Sequence, residues 1–170
     1  MRYLGATNRM NSLLILLLVV ITTCNVYVLS APAEDFDYEF SKVQTMAEVR
    51  AEIKETGKPG VVFVTQPWCG ACKGLKGSVN ADAEIKSLFE NWVVVHAAGD
   101  ELSAEWHADG EKDGYIPRVY FLTPDGDFAK VEAPNPQYAY FFPSAGAVKE
   151  GMRKVQDILG VGGGGGGGEL

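Results

Sequence analysis

Apolar residues recur along this chain with two spacings, which predict alternating strands and helices. Continuous runs rich in β-branched residues are typical of strands buried on both faces, and they predict strands at 61–65, 92–98 and 116–122. The turn-forming residues at 123–127 and the run at 128–133 predict a hairpin strand that pairs back on the third strand.

Segments with helical spacing lie between and after these runs. Thr45 and Glu48 form a capping box that predicts the start of a helix before the first strand. A second helix is predicted after that strand, with a break near Gly77, and a short one within 99–115. Ser144 can cap a final helix. This order predicts an α/β fold of three layers, in which helices flank a mixed central β-sheet.

The first part of the chain has the pattern of a secretory signal peptide. Arg2 and Arg9 precede the apolar run at 13–21, and small residues follow it. We therefore predict a signal peptide at 1–30, with cleavage between 24 and 33. A membrane anchor is the alternative, because no charge follows Arg9 until after the predicted cleavage region.

Composition restricts the classes of partner. The chain has 170 residues, 46% of them hydrophobic, which predicts one domain with a core. Its net charge of −7 is unfavourable for binding nucleic acid or anionic lipid, so neither is expected as a partner. After signal cleavage no stable membrane insertion is expected. Cleavage would also remove Cys24 and leave a single pair of cysteines.

That pair lies in the stretch PWCGACK, at 67–73. At positions i and i+3 of a first helical turn, the two Cα atoms lie about 5.5 Å apart, which suits a reversible disulfide. A structural zinc site needs four ligands, and the two histidines available besides Cys69 and Cys72, His96 and His107, are eleven residues apart and predicted to lie on different elements. A purely structural bridge over four residues gains little loop entropy. A redox pair is therefore favoured over zinc and over a staple, and no metal is predicted.

A helix start also separates the roles of the two sulfurs. Unpaired backbone N–H groups and the helix dipole stabilise a thiolate at the N-terminus. Cys69 is therefore predicted to be the nucleophile. Cys72, further into the helix and less exposed, is predicted to be the resolving cysteine.

Three sequence blocks carry a resemblance to a known family. WCGAC follows a predicted buried strand, DGYIPRVYFLTPDG covers the third strand, and NPQYAYFFPSAGAVKEGM leads into the last helix. In this order they resemble the thioredoxin superfamily, in particular its small members of the endoplasmic reticulum in the anterior gradient and protein disulfide isomerase group. The resemblance implies a thioredoxin-like domain over 36–160, with Pro117 in the cis form facing the CxxC pair.

The resemblance also implies a function. It is that of a thiol–disulfide oxidoreductase of the secretory pathway, which acts on client proteins with thiols or disulfides. Glutathione is the implied redox partner and co-substrate, and no metal, flavin or nucleotide is needed. The backbone near Ile116 would pair with an extended client segment by β-augmentation. The residues that would contact the client are Trp68, Gly70, Ala71, Ile116 and Pro117. The alternative is a non-catalytic module that binds clients in the manner of a chaperone.

The end of the chain bears on localisation. Seven glycines precede Glu169 and Leu170, so 161–170 is predicted to be a flexible tail. The ending GGEL keeps only the last two residues of a K-D-E-L-like retrieval signal. The endoplasmic reticulum lumen is therefore predicted, with secretion as the alternative.

The sequence also supports predictions for single residues near the cysteine pair and beyond it. Many relatives have a buried acid where this chain has Phe63, so the proton of Cys72 needs another acceptor. Trp68 either shapes the docking surface or packs beside the helix, and Arg118 either contacts substrate or forms a surface salt bridge. His96 is predicted to be an ordinary strand residue and His107 a solvated one. The aromatic residues of 138–142 are predicted to be mostly core.

Overall fold

A computed structural model of the protein describes residues 35–107 and 114–160. The predicted signal peptide and glycine-rich tail lie outside the described residues. In chain order the described elements are α1 (Met46–Thr56), β1 (Gly60–Thr65), α2 (Gly70–Asn80), α3 (Ala83–Phe89), β2 (Val93–Ala98), α4 (Asp100–Glu105), β3 (Arg118–Leu122) and α5 (Ala145–Ile158). Within the described ranges, no helix has the length and apolar content needed to cross a membrane.

The described strands form one mixed sheet with β1 at its centre, in the order β2-β1-β3. β2 runs parallel to β1, with Phe63 beside His96, and β3 runs antiparallel, with Phe63 beside Val119. The prediction of a mixed sheet between helices is confirmed. The predicted strand order along the chain is also confirmed, although β3 begins at Arg118 rather than at Ile116.

The predicted hairpin strand at 128–133 is wrong. Leu122 and Phe128 form an isolated bridge, and the Ala129 N–H donates to the Phe121 carbonyl at 2.8 Å. The described chain makes no further ladder there. Val131 is the only β-branched residue of the run, and Pro134 follows it, so this stretch has little strand propensity and a missing donor nearby.

The sheet separates two apolar layers, which gives the three-layer architecture. Phe63 and Phe121 point to the layer built with α2, α3 and α5. Val62, Val64 and Tyr120 point to the opposite layer, built with α1 and the residue after α4, Trp106. Alternate residues of a strand point to opposite faces, so strands apolar on both faces become fully buried.

The capping residues in the sequence predicted the starts of α1 and α5 correctly, but the end of α2 was predicted wrongly. Thr45 and Glu48 form the predicted capping box of α1, and Ser144 caps α5 by accepting the Ala147 N–H. The predicted break near Gly77 is wrong, because α2 continues to Asn80. The break comes where the Asp82 carboxylate accepts the Ile85 N–H and so caps α3.

The N-terminal segment (residues 35–41) packs on the layer of α2 and α3. The ring of Phe36 lies 5.0 Å from that of Phe63 and 5.0 Å from that of His96, centroid to centroid. The Ser41 N–H donates to the Val94 carbonyl at 2.9 Å, which ties the segment to β2. This segment therefore belongs to the core of the domain.

Candidate redox site

The chain turns from strand into helix at the cysteine pair. β1 ends at Thr65, and Cys69 is the N-cap of α2, with extended backbone angles of φ −83° and ψ 112°. Cys69 and Cys72 form a disulfide with their Cα atoms 5.2 Å apart, close to the spacing predicted from their i, i+3 positions. The Cys72 N–H donates to Cys69 Sγ at 3.1 Å. One sulfur therefore caps the helix that carries the other.

The two cysteines differ in exposure. Cys69 is 6% exposed, whereas Cys72 is fully buried beneath the first turn of α2. In the dithiol form, a thiolate at Cys69 would face the unpaired N–H groups at the start of an 11-residue helix. This arrangement suits a sulfur that meets substrate first and a second sulfur that attacks from within.

The Ile116-Pro117 loop lies against this sulfur. The peptide bond between these two residues is cis, as the family resemblance implied. The Ile116 carbonyl oxygen is 3.8 Å from Cys69 Sγ. Residues far apart in the chain are thus brought together at one edge of the sheet, because β1 and β3 are antiparallel neighbours.

The other predicted contact residues surround the disulfide on the surface. Gly70 and Ala71 are exposed at the start of α2. Trp68 is 75% exposed, so it is not packed beside the helix. It lines an open cleft of about 580 Å³ together with His107, Tyr115 and Ile116. Whether clients contact these residues stays a prediction.

Phe63, in β1, occupies the position where the family resemblance implied a buried acid. It is fully buried and packs against Phe36, Phe40 and Phe89. His96 lies beside Phe63 on the neighbouring strand, and its Nε2 lies 2.7 Å from Thr65 Oγ1.

His96 is held neutral by its surroundings. Burial lowers its pKa from 6.5 to about 4, and the nearby Lys76 ammonium acts in the same direction, while Asp35 opposes them. Lys76 is itself buried on α2, with its Nζ 3.4 Å from Asp35 and 5.7 Å from the centre of the Phe36 ring. Sequence reasoning missed this group; the position of Lys76 four residues after Cys72, on the buried face of α2, was the available signal.

A second polar group supports the other side of the site, and it corrects the prediction for His107. Arg118 is only 2% exposed and lines the same cleft as Trp68 and Ile116. Its guanidinium donates to the Ser103 carbonyl at 2.6 Å and lies 3.1 Å from His107 Nδ1. His107 is therefore not simply solvated. Gln66 donates to Asp100 Oδ1 and to Ser103 Oγ, both at 2.9 Å, and so joins the loop before Cys69 to α4.

Together these features define a class of protein. A mixed sheet between helices, a CxxC pair at a helix N-terminus and a proline loop beside its first sulfur are the parts of a thioredoxin fold. Residues 42–124 match the family model described as Thioredoxin-like. The match includes both cysteines and Pro117, so this part of the chain is similar to thioredoxin-like domains, in agreement with the thioredoxin fold of the structure. Such a domain with a CxxC pair indicates oxidoreductase chemistry on thiols and disulfides.

Proposed function

We propose that this protein reduces, forms or exchanges disulfides of client proteins in the secretory pathway, using Cys69 and Cys72 and exchanging electrons with glutathione. The observation that carries the proposal is the position of Cys69. Its sulfur caps α2 beside the Ile116 carbonyl, and Cys69 keeps a small exposed fraction of 6%, while Cys72, three residues further on, is fully buried.

The proposed reduction has two exchange steps. A Cys69 thiolate attacks one sulfur of a client disulfide, the client S–S bond breaks, and the other client sulfur leaves as a thiolate. Cys72 then loses its proton and attacks Cys69 Sγ, so the Cys69–client bond breaks and the second client thiolate leaves. The client gains two electrons and the protein is left as the disulfide. In the reverse direction the same steps oxidise a client dithiol.

Glutathione would restore the dithiol by the same chemistry. One glutathione thiolate attacks the Cys69–Cys72 disulfide, and a second attacks the resulting mixed disulfide. The two glutathiones leave joined as oxidised glutathione, and both cysteines are reduced. No further cofactor takes part in this scheme.

Reduction of insulin by glutathione, followed as precipitation of the freed B chain, tests this proposal. The native protein should accelerate precipitation over glutathione alone, and Cys69→Ser should not. No acceleration by folded native protein would reject the enzyme proposal and leave the client-binding alternative.

A trapping experiment tests the two roles. Cys72→Ser should accumulate client adducts on Cys69, since the second step is blocked. Cys69→Ser should accumulate few, because Cys72 is buried. Adducts that form mainly on Cys72 would reverse the assignment of the two cysteines.

The proposed location is the endoplasmic reticulum lumen, supported by the predicted signal peptide and by the Glu169-Leu170 ending. Expression of the full chain in secreting cells, with and without these two residues, is the test. Retention of the full chain and release of the shortened one are expected. Release of both would favour the secreted alternative.

A further inference from the structure

Large apolar side chains are exposed at few places in the described part of the chain. Trp68 is 75% exposed, Ile158 57% and Tyr138 43%. Ile158 lies at the end of α5, whereas Trp68 directly precedes Cys69 and Tyr138 contacts Tyr115, which lines the same cleft as Trp68. Apolar surface that stays exposed beside a reactive group marks a contact surface.

Tyr115 connects Trp68 to Tyr138. It lines the open cleft with Trp68 and Ile116, directly beside Cys69. On its other side, its ring lies 5.1 Å from that of Tyr138, edge to face. The exposed aromatic surface therefore extends from Trp68 past the Ile116-Pro117 loop to Tyr138.

Tyr115 and Tyr138 are held in place before any partner arrives. The Tyr140 N–H donates to Tyr115 Oη at 2.9 Å. The Tyr138 N–H donates to the Asn135 carbonyl, and the Phe141 N–H donates to the Tyr138 carbonyl, both at 3.0 Å. An aromatic surface that is already ordered loses little conformational entropy on binding.

We propose that Tyr115 and Tyr138, with Trp68, form an aromatic surface that binds an aromatic or large aliphatic side chain two residues away from the reacting cysteine of an extended client segment. The proposal rests on the proposed function and names the class of client. The prediction that the aromatic residues of 138–142 are mostly core is wrong for Tyr138, although Phe142 is buried.

The geometry favours a polypeptide as the occupant. The partner must bring a sulfur to Cys69 Sγ, 3.8 Å from the Ile116 carbonyl. Along an extended segment, residues two positions apart point to the same side and lie about 7 Å apart, so a residue two positions from the cysteine can reach the surface next to Ile116. A membrane is a poorer occupant, because the chain has a net charge of −7.

The test compares two blocked pentapeptides with a central cysteine that differ only in having Phe or Ser at the first and last positions, each two residues from the cysteine. Each cysteine is capped as a mixed disulfide with 2-mercaptoethanol. The protein is reduced beforehand, and the peptide thiol released is measured under single-turnover conditions. Cys69 attacks the peptide sulfur and displaces 2-mercaptoethanol, and Cys72 then displaces the peptide thiolate, so two electrons pass to the substrate.

For the native protein, the Phe peptide should react about three- to tenfold faster than the Ser peptide, the range that one aromatic contact supports. Tyr138→Ala should reduce this ratio at least about twofold, and Tyr138→Phe should preserve it because the ring remains. Ile158→Ala is the matched control: it removes an exposed apolar side chain away from the disulfide and should leave the ratio unchanged.

Bis(2-hydroxyethyl) disulfide separates this inference from the function on which it rests. It has the same leaving group and no flanking side chain. If the protein fails to reduce it, the proposed function is wrong. If the protein reduces it but shows equal rates for the two peptides, or an equal ratio for Tyr138→Ala and the native protein, the aromatic surface is not a client site.

Discussion

At the scale of single residues, chemistry at the site depends on where each sulfur lies relative to α2. Cys69 is at the N-cap and accepts the Cys72 N–H, so the same atom serves helix capping and exchange. A thiolate is a better acceptor than a neutral thiol and is favoured by the helix dipole. Cys72 is fully buried, whereas Cys69 is 6% exposed, so a client sulfur reaches Cys69 more easily.

Alkylation across pH tests the first of these points. In the reduced Cys72→Ser variant, iodoacetamide should modify Cys69 with a midpoint below the value of about 8.5 for a free thiol. Free glutathione, alkylated under the same conditions, is the reference. A midpoint equal to that of the reference would contradict the proposed stabilisation of the thiolate.

His96 should make stability depend on pH. Its folded pKa of about 4 lies below the ordinary value of 6.5, chiefly because the ring is buried, and Lys76, Asp35 and the Thr65 hydroxyl face it. Below pH 6.5 the unfolded chain takes up a proton that the folded chain does not, so this contribution is complete above 6.5 and is lost as pH falls through 4.

The measurement is urea denaturation of the native protein and His96→Gln from pH 7 down to 4. Titrating carboxylates affect both proteins, so the difference between them isolates His96. The native protein should lose about 3 kcal/mol more than the variant over this range. Parallel curves would show that His96 is not held neutral by burial.

At the scale of elements, the close packing of α5 on β3 depends on one glycine. Gly151 faces the ring of Phe121, and a Cβ at 151 would overlap that ring. Gly146, in the same helix, has open space, with Ser144 Oγ at 3.9 Å as the nearest atom to an added Cβ. The helix can therefore approach the sheet closely only at its middle.

These two glycines provide a matched pair of substitutions. Gly151→Ala should lower the free energy of unfolding by about 1–3 kcal/mol, because the added methyl overpacks the layer. Gly146→Ala should raise it by about 0.5 kcal/mol, since alanine has the better helix propensity. Thermal and urea unfolding of both variants would check this. Equal changes in the free energy of unfolding would show that a methyl group at 151 does not overpack the layer.

At the scale of the whole molecule, the domain extends beyond the part that matches the family. The match covers 42–124, yet α5 and the N-terminal segment (residues 35–41) complete the layer that contains Phe63. Phe36 contacts Phe63, at the position where the family resemblance implied a buried acid. The apolar Phe63 is therefore covered by an apolar side chain, Phe36, which lies outside the region that matches the family model.

Removal of that cover should weaken the whole domain. Phe36→Ala should lower the free energy of unfolding by about 2 kcal/mol, somewhat less than for a fully buried phenylalanine. Ile158→Ala, at a site 57% exposed, should change it by less than about 0.5 kcal/mol. Similar effects of the two substitutions, measured by urea unfolding, would show that the segment adds little to the core.

Much of the fold was predictable because its signals are local. The capping box of α1, the cap of α5 and the continuous apolar strands are written in residues a few positions apart. The i, i+3 spacing of Cys69 and Cys72 likewise predicted that a disulfide can form. The prediction of a hairpin strand at 128–133 was wrong because strand pairing depends on contacts with a neighbouring strand and not only on local propensity.

The sequence by itself determined the elements, the cysteine pair and its place at a helix start, since backbone hydrogen bonding and capping act over one helical turn. Only the tertiary structure decided that Arg118 is buried against His107, that Lys76 and Asp35 meet His96, and that Tyr138 lies beside Tyr115. Burial and charge at these residues depend on segments distant in the chain, which the sheet brings together and local spacing does not specify.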